Sequence, residues 1–175
     1  VGSEMCIRDR YYDGSTKTNQ DRLLSILRID EKHGLYVDFY RSDNAISNDY
    51  LYHNIGDSVA LYTQDGKVLK QDEVLSYPCV GEDHPGLRYF RSVRTTGRNE
   101  STVVALFSAK LLNTGTSYMK MWMPASSDVS YFTALAPSAK TASSPYQSKP
   151  SLVVTMRKEK PACLLYTSDA ADDLT

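Results

Sequence analysis

The sequence predicts an all-β fold, an antiparallel β-sandwich, with a barrel as the alternative closure. Three observations carry this. Short apolar runs recur along the chain, separated by Gly, Asn, Ser, Asp or Pro. Within several runs the apolar positions alternate, as a half-buried sheet face requires. Asp65-Gly66 stands between two such runs, and that dipeptide suits the positive φ of a tight hairpin turn. No segment holds a convincing helical period, and no internal repeat is present. Thirteen tyrosines suit strands whose faces are half-buried.

Taken in order, Leu23 to Ile29 is a mostly apolar run that ends at the turn-like Asp30-Glu31-Lys32-His33-Gly34. Leu35, Val37 and Phe39 then alternate with Tyr36, Asp38 and Tyr40, a period of two. Tyr50 to Ile55 follows a polar loop over Ser42 to Asp49. Val59 to Tyr62 and Lys67 to Lys70 flank the Asp-Gly turn. Gln71 to Gly86 is polar, holds two prolines and two glycines, and reads as a loop. Five more runs follow: Leu87 to Val93, Thr102 to Ser108, Tyr118 to Met123, Val129 to Leu135, and Leu152 to Arg157. The Thr102 run is apolar on both parities, so a strand covered on both faces is expected. Met119, Met121 and Met123 share one face of their run, and Tyr118, Lys120 and Trp122 share the other. Ala139 to Pro150, rich in Ser, Pro and Lys, reads as an exposed connection.

The two ends read differently. Val1-Gly2-Ser3-Glu4-Met5-Cys6-Ile7-Arg8-Asp9-Arg10 matches the translation of a transposase-tagmentation sequencing adapter. Cys163-Leu164-Leu165-Tyr166-Thr167-Ser168-Asp169-Ala170-Ala171-Asp172-Asp173 matches the partner adapter in reverse complement. Residues 1–10 and 163–175 are therefore expected to be adapter-derived, and residues 11–162 to be one β-sandwich domain fragment of a longer protein. Setting aside Arg8 and Arg10 from the 20 basic residues, and Glu4, Asp9, Asp169, Asp172 and Asp173 from the 21 acidic ones, leaves 18 and 16. The net charge moves from −1 to about +2, too little to imply nucleic acid or an acidic membrane surface. Of three cysteines only Cys79 is then native, which excludes a disulfide framework. No stretch is apolar enough to span a bilayer.

Bottom-up, no complete active site is visible: no phosphate loop, no paired cysteines, no nucleophile elbow. His33 in its turn and His84 in Glu82-Asp83-His84-Pro85-Gly86 suit solvated surface positions. His53 lies inside a run, and alternation places it between Leu51 and Ile55 on one face. Such a histidine is either a satisfied core residue or a ligand or acid–base group. Alone it cannot hold zinc, which takes three or four protein ligands. Tyr118, Trp122, Tyr131 and Phe132 suit either a sugar-stacking platform or core and cross-strand packing, and packing is the commoner role. Arg88, Arg91 and Arg94 suit bidentate contacts to an acidic polysaccharide or simply solvated strand edges. Asn99-Glu100-Ser101 is a formal glycosylation sequon.

Several segments, in this order, resemble the C-terminal part of heparinase II/III-type polysaccharide lyases. They are Leu24-Ser25-Ile26-Leu27-Arg28-Ile29-Asp30, Tyr36-Val37-Asp38-Phe39-Tyr40-Arg41, Asp49-Tyr50-Leu51-Tyr52-His53, Met119-Lys120-Met121-Trp122-Met123-Pro124, Tyr131-Phe132-Thr133-Ala134-Leu135-Ala136-Pro137 and Leu152-Val153-Val154-Thr155. The resemblance implies a helical α/α toroid upstream and an antiparallel sandwich here. It also implies β-elimination on an acidic, uronate-containing polysaccharide by an exported enzyme. Its acid–base groups belong mainly to the toroid and the first sandwich strands, upstream of Tyr11, so the fragment alone is expected to be inactive. In some members a histidine in the strand resembling Tyr50 to His53 ligates zinc, and His53 matches it. The resemblance thus implies zinc in the intact parent and no cofactor for the fragment. Asp38 and Asp49 suit solvated loop or strand-edge roles rather than the metal. The rival class is a non-catalytic carbohydrate-binding or supporting sandwich.

Overall fold

In a computed structural model, the chain is described over residues 3–13, 16–44, 47–78, 86–111, 115–137, 150–159 and 162–173. The strands are β1 (Ser3–Asp13), β2 (Thr16–Arg28), β3 (Gly34–Ser42), β4 (Asn48–Asn54), β5 (Ser58–Thr63) and β6 (Asp72–Glu73). A 3-10 turn (Leu87–Tyr89) precedes β7 (Arg91–Asn99), β8 (Val103–Leu111), β9 (Gly115–Met123), β10 (Val129–Ala136), β11 (Ser151–Lys158) and β12 (Ala162–Asp173). They form two sheets with only antiparallel pairs between them, ordered β1-β2-β3-β12-β9-β8-β5 and β4-β11-β10-β7-β6. Neither sheet closes on itself, so the fold is a sandwich and not the barrel. Cys79, His84 and most of Ala139 to Pro150 lie outside the described residues.

Alternation decides which side chains meet between the sheets. On β9, Met121 and Met123 are fully buried, while Tyr118 and Trp122 turn to the outward face at half-burial. β8 does the same with Val103, Ala105 and Phe107 inward. Val104 and Leu106 on its other face are only half-buried, so the expectation of two covered faces holds for one alone. From the opposing sheet come Tyr50, Val129, Tyr131, Leu152, Val154 and Met156, and Leu61 of β5 completes the cluster. Burying Phe107 and the two methionines contributes about 1.5–3 kcal/mol each by area.

The Asp65-Gly66 turn forms as expected. Gly66 has φ of +83°, and Thr63 N–H donates to the Lys67 carbonyl at 2.8 Å. After the turn, Lys67 to Lys70 is no strand. It makes one isolated bridge, Tyr62 to Val68, because Val68 has nothing to bury against and is 71% exposed. The Leu87 run also departs from expectation: it begins as the 3-10 turn and becomes strand only at Arg91.

The five-stranded sheet carries a second apolar cluster on its far side. Val93, Phe132 and Ala134 are buried there beneath Tyr77, with Val74, Leu87 and Phe90 packed around them. The predicted Gln71 loop is therefore partly a cover, anchored by Gln71 Nε2 donating to Thr133 Oγ1 at 3.0 Å.

Phe107 lies at the centre of the inter-sheet cluster and is 1% exposed. Phe107→Ala is expected to lower unfolding free energy by about 3–5 kcal/mol in urea denaturation. A loss below about 1 kcal/mol would mean the two sheets do not pack here.

Candidate functional site

The polar chemistry of the described chain collects on the far side of the five-stranded sheet. β4 is an edge strand. Its Asn48, Tyr50, Tyr52 and Asn54 positions turn toward the other sheet, so Asp49, Leu51 and His53 turn away. His53 is exposed, which removes the core reading suggested by its apolar neighbours. Those neighbours do not enclose it because β4 has no partner strand beyond it among the described residues. Its Nδ1 lies 3.4 Å from Ser151 Oγ, and its ring meets Phe90 edge-on, centroids 6.4 Å apart. Partial burial pushes its pKa below the ordinary value of 6.5, so the imidazole is neutral at pH 7.

From His53 an aromatic run leads inward. Phe90 packs on Tyr77 at 5.6 Å, and Tyr77 on Phe132 at 5.1 Å, both edge-on. Arg157 of β11 lies beside it with its guanidinium 5.1 Å from the Tyr77 ring centre. Arg157 donates twice to Asp49, from Nε and an Nη, each at 2.7 Å. The pair is almost fully buried, with side chains 9% and 15% exposed. Each charge thus neutralises the other. The Tyr77 hydroxyl and Thr155 Oγ1 are buried close to one another, and neither makes a hydrogen bond of normal geometry among the described residues. Burial pushes the Tyr77 pKa far above that of a free phenol, so it cannot supply a phenolate near neutrality.

Asp38 meets a similar fate between the two sheets. It is 1% exposed, accepts from Arg22 Nε at 2.8 Å and from the same guanidinium's Nη2, and lies beside the Tyr50 hydroxyl. Asp38 and Asp49 are therefore arginine partners and not solvated edge residues. Sequence alternation did not reveal this, because each partner comes from a neighbouring strand.

The other candidates scatter. His33 caps its surface turn, with Nδ1 at 2.6 Å from Asp30 Oδ2. Tyr131 lies in the inter-sheet core, its pKa pushed up to about 12 by burial. Phe132 lies under the Tyr77 cover, and Tyr118 and Trp122 face outward from the other sheet. Those four aromatics do not share a platform. Arg88, Arg91 and Arg94 are all exposed. Asn99 Oδ1 accepts from the Ser101 N–H at 2.8 Å, so the sequon forms a local turn. Tyr77, the residue that organises this face, lay in a segment whose composition signals only a loop.

No group of three or more His, Cys, Asp or Glu side chains capable of holding a metal occurs among the described residues. His53 offers one neutral ligand, and the described chain supplies no second or third. These residues by themselves do not make a zinc site. No described helix is long and apolar enough to cross a membrane.

No family model matches the chain. Over 153 residues it is 35% identical to an endo-acting ulvan lyase of Formosa agariphila, a match covering 84% of this chain and 18% of that protein. The chain is related to a polysaccharide lyase. It spans less than a fifth of that relative's length.

Two outcomes follow from the geometry. The unfolded chain binds a proton at His53 more readily than the folded one. Stability is therefore expected to rise with pH through the interval between the folded pKa and 6.5, and to be lost as pH falls through it. Histidine ring NMR should place the His53 midpoint below 6.5, and a midpoint above 6.5 would contradict the partial burial. Thr155→Val removes a buried hydroxyl that makes no hydrogen bond of normal geometry among the described residues. It is expected to be neutral or to stabilise by up to about 1 kcal/mol in thermal denaturation. A clear loss would show that the hydroxyl is bonded after all.

Proposed function

We propose that the chain is a C-terminal β-sandwich fragment of a heparinase II/III-like lyase that cleaves an acidic, uronate-containing polysaccharide by β-elimination. The 35% identity to an ulvan lyase over 153 residues is the observation that carries it. In such a reaction a base takes the C5 proton of the uronate, and an acid protonates the departing glycosidic oxygen. The described residues supply no such pair. Tyr77 is held neutral, Asp49 and Asp38 are committed to arginines, and His53 stands without an acid or base beside it. The fragment's part in the reaction is therefore structural, and the acid and base belong to an upstream helical toroid and the strands joined to it. In the parent, His53 serves as one zinc ligand, with the others from those strands. This reading uses no residue of 1–10 or 163–175, which match translated adapter.

One observation favours a supporting role against that toroid. Leu23, Leu27 and Phe39 lie on the outward face of the β2–β3 pair at 37%, 43% and 43% exposure. An apolar strip of that kind is commonly covered by another protein surface.

The decisive assay follows unsaturated uronate by its ultraviolet absorbance. Incubated with ulvan or another uronate polysaccharide, this chain alone is expected to release none, while the intact parent releases product. Turnover by the chain alone would overturn the structural role, and a parent inert on every uronate polysaccharide would overturn the lyase.

A further inference from the structure

Arg91 and Arg94 are three residues apart, a spacing that puts side chains on opposite faces of a regular strand. In β7 they share a face. Arg91 stands opposite Leu135 and Arg94 opposite Thr133, so three steps on β7 match two on β10. The extra residue is a bulge at Ser92, whose φ is +51°. Bulges of this kind re-aim side chains at sheet edges. Two steps along β10 set the arginines about 7 Å apart. Val93 between them turns the other way and is buried with Phe132 and Ala134.

Three other described arginines are held in ion pairs. Arg157 holds Asp49, Arg22 holds Asp38, and Arg98 holds Glu159 at 3.0 Å. Arg91 and Arg94 are exposed and take part in no ion pair among the described residues, although Glu73 lies opposite Arg94 across β6. Just upstream, Tyr89 is 57% exposed, with the Arg88 guanidinium 5.4 Å from its ring centre.

We propose that Arg91 and Arg94 form a subsite for the sulfate or carboxylate groups of an anionic polysaccharide, with Tyr89 as adjoining aromatic surface. The inference rests on the polysaccharide reading above and adds the place where the chain is held. Arginine recognises both groups through paired N–H donors, and exposed aromatic faces suit sugar rings. Two guanidiniums on one face reach successive charges of a single strand of glycan, which opposite faces would prevent.

Binding of this chain to dextran sulfate, polygalacturonate and neutral dextran tests it, and the first two separate sulfate from carboxylate. Wild type is expected to bind at least one anionic polymer and not dextran. The double variant Arg91→Ala/Arg94→Ala is expected to lose roughly tenfold or more in affinity, as charge-assisted contacts imply. Arg41→Ala/Lys32→Ala removes the same charge elsewhere and is expected to lose less than about twofold. Deleting Ser92 leaves Arg91 and Arg94 two positions apart, still on one face of a then regular strand, and is expected to keep affinity within about twofold if the melting transition is retained. If that variant does not fold, the comparison of the two double variants decides. Equal losses in both double variants, a roughly tenfold loss without Ser92 in a folded protein, or no anionic binding by wild type would each overturn the subsite. None of these outcomes touches the cleavage assay of the parent, so the subsite can fail while the lyase reading stands.

Discussion

β11 is buried on both faces, and the architecture follows from that constraint. Leu152, Val154 and Met156 on one side and Val153, Thr155 and Arg157 on the other are all nearly inaccessible. A strand of this kind cannot sit in a two-layer sandwich with one wet face. It needs a third layer, to which Val74, Tyr77, Leu87 and Phe90 contribute. The seven-stranded sheet covers one side of β11 and that cover lies over the other.

Burying the second face brings polar groups with it, which explains the Arg157–Asp49 pair. Arg157 and Asp49 stand directly opposite each other in the β11–β4 register, so their ion pair forms only when those strands align correctly. Arg22 and Asp38 tie β2 to β3 in the same way, two residues off the direct pairing. Buried pairs add little net stability because desolvation offsets attraction, but an unpaired member costs several kcal/mol. A one-residue slip would strand both carboxylates. The pairs therefore act on register more than on stability, where alternation alone leaves the outward and inward sets of an edge strand less distinct.

Local pattern reached the parts of this fold that depend on period two. Met121 and Met123 inward with Trp122 outward, the Asp65-Gly66 turn, and the β3, β4 and β10 runs were legible because one face of each strand meets the core. What escaped notice depends on partners distant in sequence. His53 was flanked by apolar residues in its run, yet its strand lies at an edge and leaves it exposed. Asp38 and Asp49 read as solvated because Arg22 and Arg157 approach them from other strands. Tyr77 read as loop because its burial comes from Phe132 and Phe90, which lie 55 and 13 residues on. The Ser92 bulge was equally hidden, since a serine between two arginine-bearing turns of strand carries no local mark of positive φ.

Chemistry left available to a ligand then falls where the layers end. Inside the sheets the buried ionised groups described are matched by others, and Tyr77 and Tyr131 are kept neutral by burial. His53 is accessible because β4 has no further neighbour among the described residues, and Arg91 and Arg94 because only the two-residue β6 lies on the outer side of β7 there. A sandwich that spends its interior on packing in this way can contribute to a lyase only at its rims. One rim offers a neutral imidazole and the other a pair of cations. Under the proposed reading, that is the division expected of a module that holds and orients an acidic glycan while proton transfer takes place on residues brought by its neighbour.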